Sequence, residues 1–253
     1  MRQLYRWLNI LFFLGVIVLN TISATRGLFG TTTKEVSDAY HVAVTPAGYA
    51  FSIWSLIYVL LAGFVIVQAL PGRQNDSVIR DTGPWFVLSC IFNMSWILAW
   101  HSEMIGLSTA LMAALLITLI ALYVRTRPAA ASTDRVSRWL IALPFSIYLG
   151  WISVASIVNF TIFFMDAGFN GFGLDPDIWA ILLFVIAAVL AVWIGRKFVD
   201  PFYGLVIVWA LIAIGVEQRT DEPTVAWAAW IIAVVILLFD LWLMANRLRQ
   251  QRR

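Results

Sequence analysis

Eight mostly apolar stretches follow one another along the chain, near Leu4–Ser23, Ala47–Ala69, Gly83–Trp100, Ile105–Val124, Trp139–Phe164, Ile178–Gly195, Phe202–Val216 and Val225–Ala245. A run of roughly 20 apolar residues crosses a bilayer as a helix. Irregular lipid-facing backbone is excluded, because hydrocarbon offers its peptide groups no partner. The sequence therefore predicts an all-α integral membrane protein of about eight transmembrane helices. Composition agrees: of 253 residues, 62% are hydrophobic and 12% charged, where a soluble domain carries about a quarter charged, and mean hydropathy is +0.87. The seventh stretch is the shortest, opened by Pro201 and closed by Glu217. If it fails to span, the carboxyl terminus changes sides.

Charge orients the spans. Lysine and arginine in short loops stay preferentially on the cytoplasmic side. With eight crossings, all of the 17 basic residues except Arg26, Lys34 and Arg219 fall on the side shared by the two termini. Both termini are therefore expected to be cytoplasmic, in the inner membrane if the source is a prokaryote. The other face collects Glu35, Asp38, Glu103, Asp166, Asp175, Asp177, Glu217, Asp221 and Glu222. The net charge of +3 thus reflects topology, and the expected partner is the lipid bilayer, not nucleic acid. Arg2 and Arg6 ahead of the first stretch imitate a signal peptide, but Ser23-Ala24-Thr25-Arg26 is a poor cleavage signal, so the helix is expected to be retained. The tract 24–45 is then the longest outer connection, of a length that usually carries function. The single Cys90 excludes an intrachain disulfide and a multi-cysteine metal site.

The stretch Thr45 to Tyr58, TPAGYAFSIWSLIY, carries the most chemical information. Pro46 suits a first helical turn, where the amide hydrogen it lacks would have no partner. Trp54 and Tyr58 are four apart and share a helix face, which makes either a packing ridge or a flat wall for a flat ligand. Asn93 lies near the middle of the third stretch, where a buried amide must bond another helix or a ligand.

These features occur in a familiar order. Pro46, Phe51, Trp54 and Tyr58 after a long outer connection, then Asn93-Met94-Ser95-Trp96, then Trp151-Ile152-Ser153-Val154-Ala155-Ser156-Ile157-Val158-Asn159 resemble the translocator protein family, the tryptophan-rich sensory proteins (TspO/MBR). The chain departs from the family in Thr45 before Pro46, in Tyr49 where tryptophan is usual, and in the wide spacing from Pro144 to Trp151. The resemblance covers the first five stretches. It implies a five-helix bundle over 1–165 and a three-helix extension over 166–253, with a pocket lidded by the first outer connection. It further implies a flat hydrophobic ligand, a tetrapyrrole such as haem or protoporphyrin IX, or a sterol. Carried over by residue, Trp54 and Trp151 would be facing walls and Tyr58 would extend one of them. Tyr49, Asn93, Trp96 and Asn159 would add contacts, and Ala155 would leave space one turn past Trp151. The family often forms homodimers; monomer and dimer both stay open here.

Other residues bear on function. His41 and His101, the only histidines, fall at the outer side, either as solvated surface residues or as haem ligands. Their spacing does not indicate a catalytic metal site. Asp240 is the one acid deep in an apolar run, either paired with a basic residue such as Arg247 or acting as a coupling acid. Gly168-Phe169-Asn170-Gly171-Phe172-Gly173 follows a spanning helix instead of a strand and reads as an outer turn. No nucleophile constellation or phosphate loop is present, so no catalytic residue is expected, although porphyrin breakdown is linked to some family members. Three functions follow: a sensor, scavenger or carrier of a flat hydrophobic ligand, with no required cofactor; a proton-coupled transporter using Asp240; or a structural assembly partner.

Overall fold

The computed structural model describes residues 2–73, 76–169 and 171–251. Asn170 of the glycine-rich stretch and the terminal Arg252 and Arg253 lie outside them. The helices are α1 (Arg2–Thr25), the short α2 (Thr33–Asp38), α3 (Ile53–Ala69), α4 (Ser77–His101), α5 (Ile105–Ala130), α6 (Leu143–Asp166), α7 (Pro176–Phe198), α8 (Pro201–Gln218) and α9 (Pro223–Gln251). Among the described residues, eight segments are long and apolar enough to cross a membrane, including the 18-residue α8. At 1.5 Å per residue α8 reaches about 27 Å, close to the thickness of the hydrocarbon core. The protein is an all-helical integral membrane protein.

Two local departures have physical causes. Pro46 does not open an α-helix: Gly48–Ser52 form a tighter 3-10 turn, and α3 begins at Ile53. Tyr49 therefore does not share the helical face of Trp54 and Tyr58. Before α6, residues Ser137–Ala142 form a wide π turn. Pro144 lacks the amide hydrogen that would bond four residues back, and the wider turn accommodates its ring.

The chain divides into two compact units, Met1–Ala39 with Ile53–Ile152, and Tyr40–Ser52 with Ser153–Arg253. This grouping by compactness cuts α6 after Ile152, whereas the expected segments 1–165 and 166–253 part at its end.

In the first unit, phenylalanines from four helices meet. Phe64 of α3 lies 5.2 Å from Phe86 of α4 and 5.0 Å from Phe145 of α6 between ring centroids, and Phe13 of α1 lies 6.4 Å from Phe86. Lipid tails are as apolar as these rings, so packing and interhelical hydrogen bonds must specify the arrangement. Asn20 Nδ2 on α1 donates to Asn93 Oδ1 on α4 at 2.9 Å, and Asn93 Nδ2 donates to the Tyr148 hydroxyl on α6 at 3.1 Å. The Asn9 and Gln68 amides meet at 2.7 Å. At the connections, the Arg73 guanidinium bonds Asp134 and, at 3.1 Å, the Ser137 hydroxyl. Arg73 and then Ser137 hold the Asp134 carboxyl well below the usual carboxylate range.

In the second unit α8 packs against α7 and α9. Val199, in the left-handed region at φ 51°, and Asp200 make a two-residue turn from α7 to α8, and Asp200 caps α8 by accepting from Phe202 N at 3.1 Å. The segment 40–52 is fastened to α8: Ala47 N donates to Ala213 O at 3.1 Å, Trp209 Nε1 to Ala50 O at 3.2 Å, and Gln218 Nε2 to Thr45 O at 3.5 Å. Tyr203 donates to Ser153 Oγ of α6 at 2.9 Å. At the far end of α8, Asp177, Asp175 and Asp221 gather near Glu222, and the charge of Asp177 above all raises the Glu222 carboxyl above its ordinary range.

Two outcomes follow. In a double-mutant cycle of Asn20→Ala and Asn93→Ala, unfolded in mixed micelles, the coupling is expected on the order of 0.6 kcal/mol and not above about 1.7; strictly additive effects would mean that the bond contributes nothing. Asp134 has a depressed folded-state value, so its contribution is complete above the ordinary carboxylate value of 3.8 and is lost as pH falls through the lower folded value. Asp134→Asn should therefore melt below wild type at neutral pH, with the difference shrinking in strong acid. A difference that stays constant across that range would contradict the ion pair's role.

Candidate functional site

The α3 periodicity sets the first part of the site. Trp54 and Tyr58, one turn apart, lie ring on ring with centroids 5.5 Å apart and planes at 18°. From α6, Tyr148 and Trp151 approach the same indole edge-on, at 5.8 Å and 69° and at 6.3 Å and 83°. Trp54 and Trp151 thus touch each other, which differs from two walls separated by the thickness of a flat ligand. Trp54 and Tyr58 are half-buried and Trp151 is buried. The Tyr58 hydroxyl is buried without a hydrogen-bond partner.

On α4, Asn93 is fully buried and its amide is engaged by Asn20 and Tyr148. Trp96, one turn on, is buried with no partner for its indole N–H and lies against Trp100 at 6.0 Å and 24°. The end of α4 fastens the first outer connection. Trp100 Nε1 donates to Thr33 O at 3.3 Å, and His101 Nε2 lies 2.7 Å from Ser23 Oγ and 3.2 Å from Thr33 Oγ1. Trp100 and His101 are both 3% exposed, so His101 is not the solvated surface residue that was one of its two expected readings. Beyond Thr33, a capping box orders α2: Thr32 N donates to Glu35 Oε2 at 2.6 Å and Glu35 N to Thr32 Oγ1 at 3.3 Å. The Thr32 backbone, then its hydroxyl, hold the Glu35 carboxyl below its ordinary range.

The first unit therefore holds Trp54, Tyr58, Asn93, Trp96, Trp151 and His101. Tyr49, Ala155, Asn159, His41 and Asp240 belong to the second. Tyr49 is exposed and packs edge-on against Trp209 at 5.3 Å and 79°. Asn159 is buried, Ala155 half-buried, and His41 exposed at φ 44°. Asp240 is fully buried, and both of its carboxylate oxygens lack a hydrogen-bond partner. The expected pairing with Arg247 is absent among the described residues, because Asp240 is turned against Gly204 on α8.

Residues not singled out on sequence complete these clusters. Tyr148 stands three before Trp151, a helical spacing that could have signalled it. Asn20 and Asp200 carry no such local signal.

No curated protein and no solved structure was matched by the sequence. Residues 6–242 match the family described as TSPO-like protein. That span runs from the first turns of α1 to near the end of α9 and includes both ring clusters and Asp240. A match over nearly the whole chain, joined to the helical architecture just described, places this protein in the TSPO-like protein family.

Proposed function

We propose that this membrane protein binds a flat hydrophobic ligand at the ring cluster of α3 and α6, as a sensor, scavenger or carrier. Tetrapyrroles such as haem or protoporphyrin IX come first, and sterols second. The observation that carries this reading is the Trp54–Tyr58 stack with the unpartnered Tyr58 hydroxyl at its side. Pockets for small molecules are mostly apolar with a few placed polar groups, and an unused buried hydroxyl beside a ring wall supplies one. Stacking adds roughly 0.5–1.5 kcal/mol per ring pair beyond buried area.

Edge contact between Trp54 and Trp151 limits the binding mode. A ligand sandwiched between them requires one indole to swing aside, whereas one laid on the half-buried Trp54–Tyr58 stack does not. Asn93 serves the helix contacts instead, since its amide is already bonded to Asn20 and Tyr148. The bonds from Trp100 and His101 to Ser23 and Thr33 make the outer connection a fastened lid, and ligand entry beneath it breaks them. His101 Nε2 is committed to those bonds, so an axial haem bond from it would also require their release.

Titration of the purified protein with protoporphyrin IX, followed by porphyrin absorbance, tests the site. Saturable binding is expected in wild type and a loss of at least about tenfold in Trp54→Ala/Trp151→Ala, each side-chain loss removing on the order of 1 kcal/mol of stacking. Equal binding by a folded double variant would sink the proposal. Tyr58→Phe separates the hydroxyl from the ring. It should leave the melting temperature unchanged or raised, because it removes an unsatisfied buried group, while weakening porphyrin binding about fivefold. A drop in stability without any change in affinity would assign Tyr58 to packing alone.

A further inference from the structure

The last residue of α4 is a titratable group that the ring site does not use. His101 is buried where the connection after α1 folds back onto the helix end. Its Nε2 lies 2.7 Å from Ser23 Oγ near the end of α1 and 3.2 Å from Thr33 Oγ1 at the start of α2, and those two hydroxyls are 3.1 Å apart. One imidazole therefore joins α1, α2 and α4, with the Trp100 indole beside it bonded to the Thr33 carbonyl.

The other ring nitrogen, Nδ1, is buried with no hydrogen-bond partner. The carbonyls of Thr31 and Leu28 approach the ring, but each already accepts from the other residue's amide, Leu28 N to Thr31 O at 2.9 Å and Thr31 N to Leu28 O at 3.1 Å. The charged groups on the neighbouring elements are turned to other tasks. On α2, Glu35 accepts from Thr32 N and Lys34 bonds Asp38. Arg26 past the end of α1 and Glu103 past the end of α4 are exposed. Among the described residues, no carboxylate bonds His101.

A neutral imidazole fits this seat, since it has one N–H and one lone pair and Nε2 can play either part toward a hydroxyl. Imidazolium does not fit. Both nitrogens then donate, Nδ1 finds no acceptor, and the charge is buried without a counter-ion. We propose that His101 is a pH-released latch: neutral, it holds residues 26–38 against the ends of α1 and α4, and protonated, it lets them go. In the opened connection the ring meets water and takes a proton near its ordinary value of about 6.5, whereas the closed seat excludes the charged form. Closure is therefore complete above that value and weakens below it, the open fraction growing about tenfold between pH 7.5 and 5.5. Glu35 stays charged over this interval, because the Thr32 backbone and hydroxyl hold its carboxyl below the ordinary range, so the α2 capping box does not itself fail. The latch belongs to the connection and needs no ligand at the ring site.

Hydrogen exchange of the full chain in phosphatidylcholine nanodiscs, corrected for the chemical exchange rate at each pH, tests the latch. The amides of Leu28, Thr31, Val36 and Ala39, whose bonds lie within the connection, should exchange about tenfold faster at pH 5.5 than at pH 7.5. The step should vanish in His101→Gln, which keeps a hydrogen-bonding side chain without a titrating one, and persist in His41→Gln. Nitrogen-15 histidine spectra follow the ring with position 101 intact, His41→Gln assigning the two signals, and His101 should charge in the same interval in which the amides lose protection. Equal protection at both pH values overturns the proposal. So does protection that rises in acid, which would make imidazolium the fastening form, or a step that survives in folded His101→Gln. Where that variant does not fold, a wild-type His101 signal that stays neutral while protection is lost overturns it instead.

Discussion

Inside a bilayer, a polar group has no water to fall back on, and the chain's architecture follows from that deprivation. Peptide groups are satisfied by winding into eight spanning helices. What remains is the short roster of polar side chains within the spans, each of which must find a partner or stay unsatisfied at a cost. Since lipid competes on equal terms with Leu or Phe for apolar contact, those few polar bonds pin the register of helices that could otherwise slide. Asn20, Asn93 and Tyr148 do this across α1, α4 and α6.

The same reasoning picks out the exceptions. Buried groups that do find partners describe how the helices are held. The Tyr58 hydroxyl, the Trp96 N–H and the Asp240 carboxyl have none, and packing alone gives no reason to retain them. A phenylalanine at 58 would stack equally well on Trp54, and a leucine at 240 would sit in the membrane at less cost. The ligand contact proposed for Tyr58 would use one such group.

Much of the fold was legible because hydropathy over some 20 residues is a strong, local signal: all eight expected spans appear, with even the short α8 present, and the ends differ most where α4 starts at Ser77 instead of Gly83 and α5 runs on to Ala130 instead of Val124. The Trp54–Tyr58 stack was equally readable, since spacing by four fixes neighbours on one helix. Contacts between helices were not. Whether Asn93 meets a helix or a ligand depends on Asn20, 73 residues earlier, and nothing local links the two. The 3-10 turn at Gly48–Ser52 escaped for a related reason, because segment 40–52 takes its bonds from α8, far along the chain. Asp240 stood out by hydropathy, yet its seat against Gly204 of α8 did not, because nothing local links the two positions.

Gly204 shows how these levels join. Glycine inside a helix costs roughly 1 kcal/mol relative to alanine, and Asp240 in a span costs about 2.5–3.5 kcal/mol if charged. Neither residue makes sense alone. Together they form a fitted contact, with the acid seated against bare backbone. An alanine at 204 would recover helix propensity but expel the carboxyl from its seat. The Gly204–Asp240 contact, like the unsatisfied Tyr58 hydroxyl, is therefore a feature that packing alone does not require.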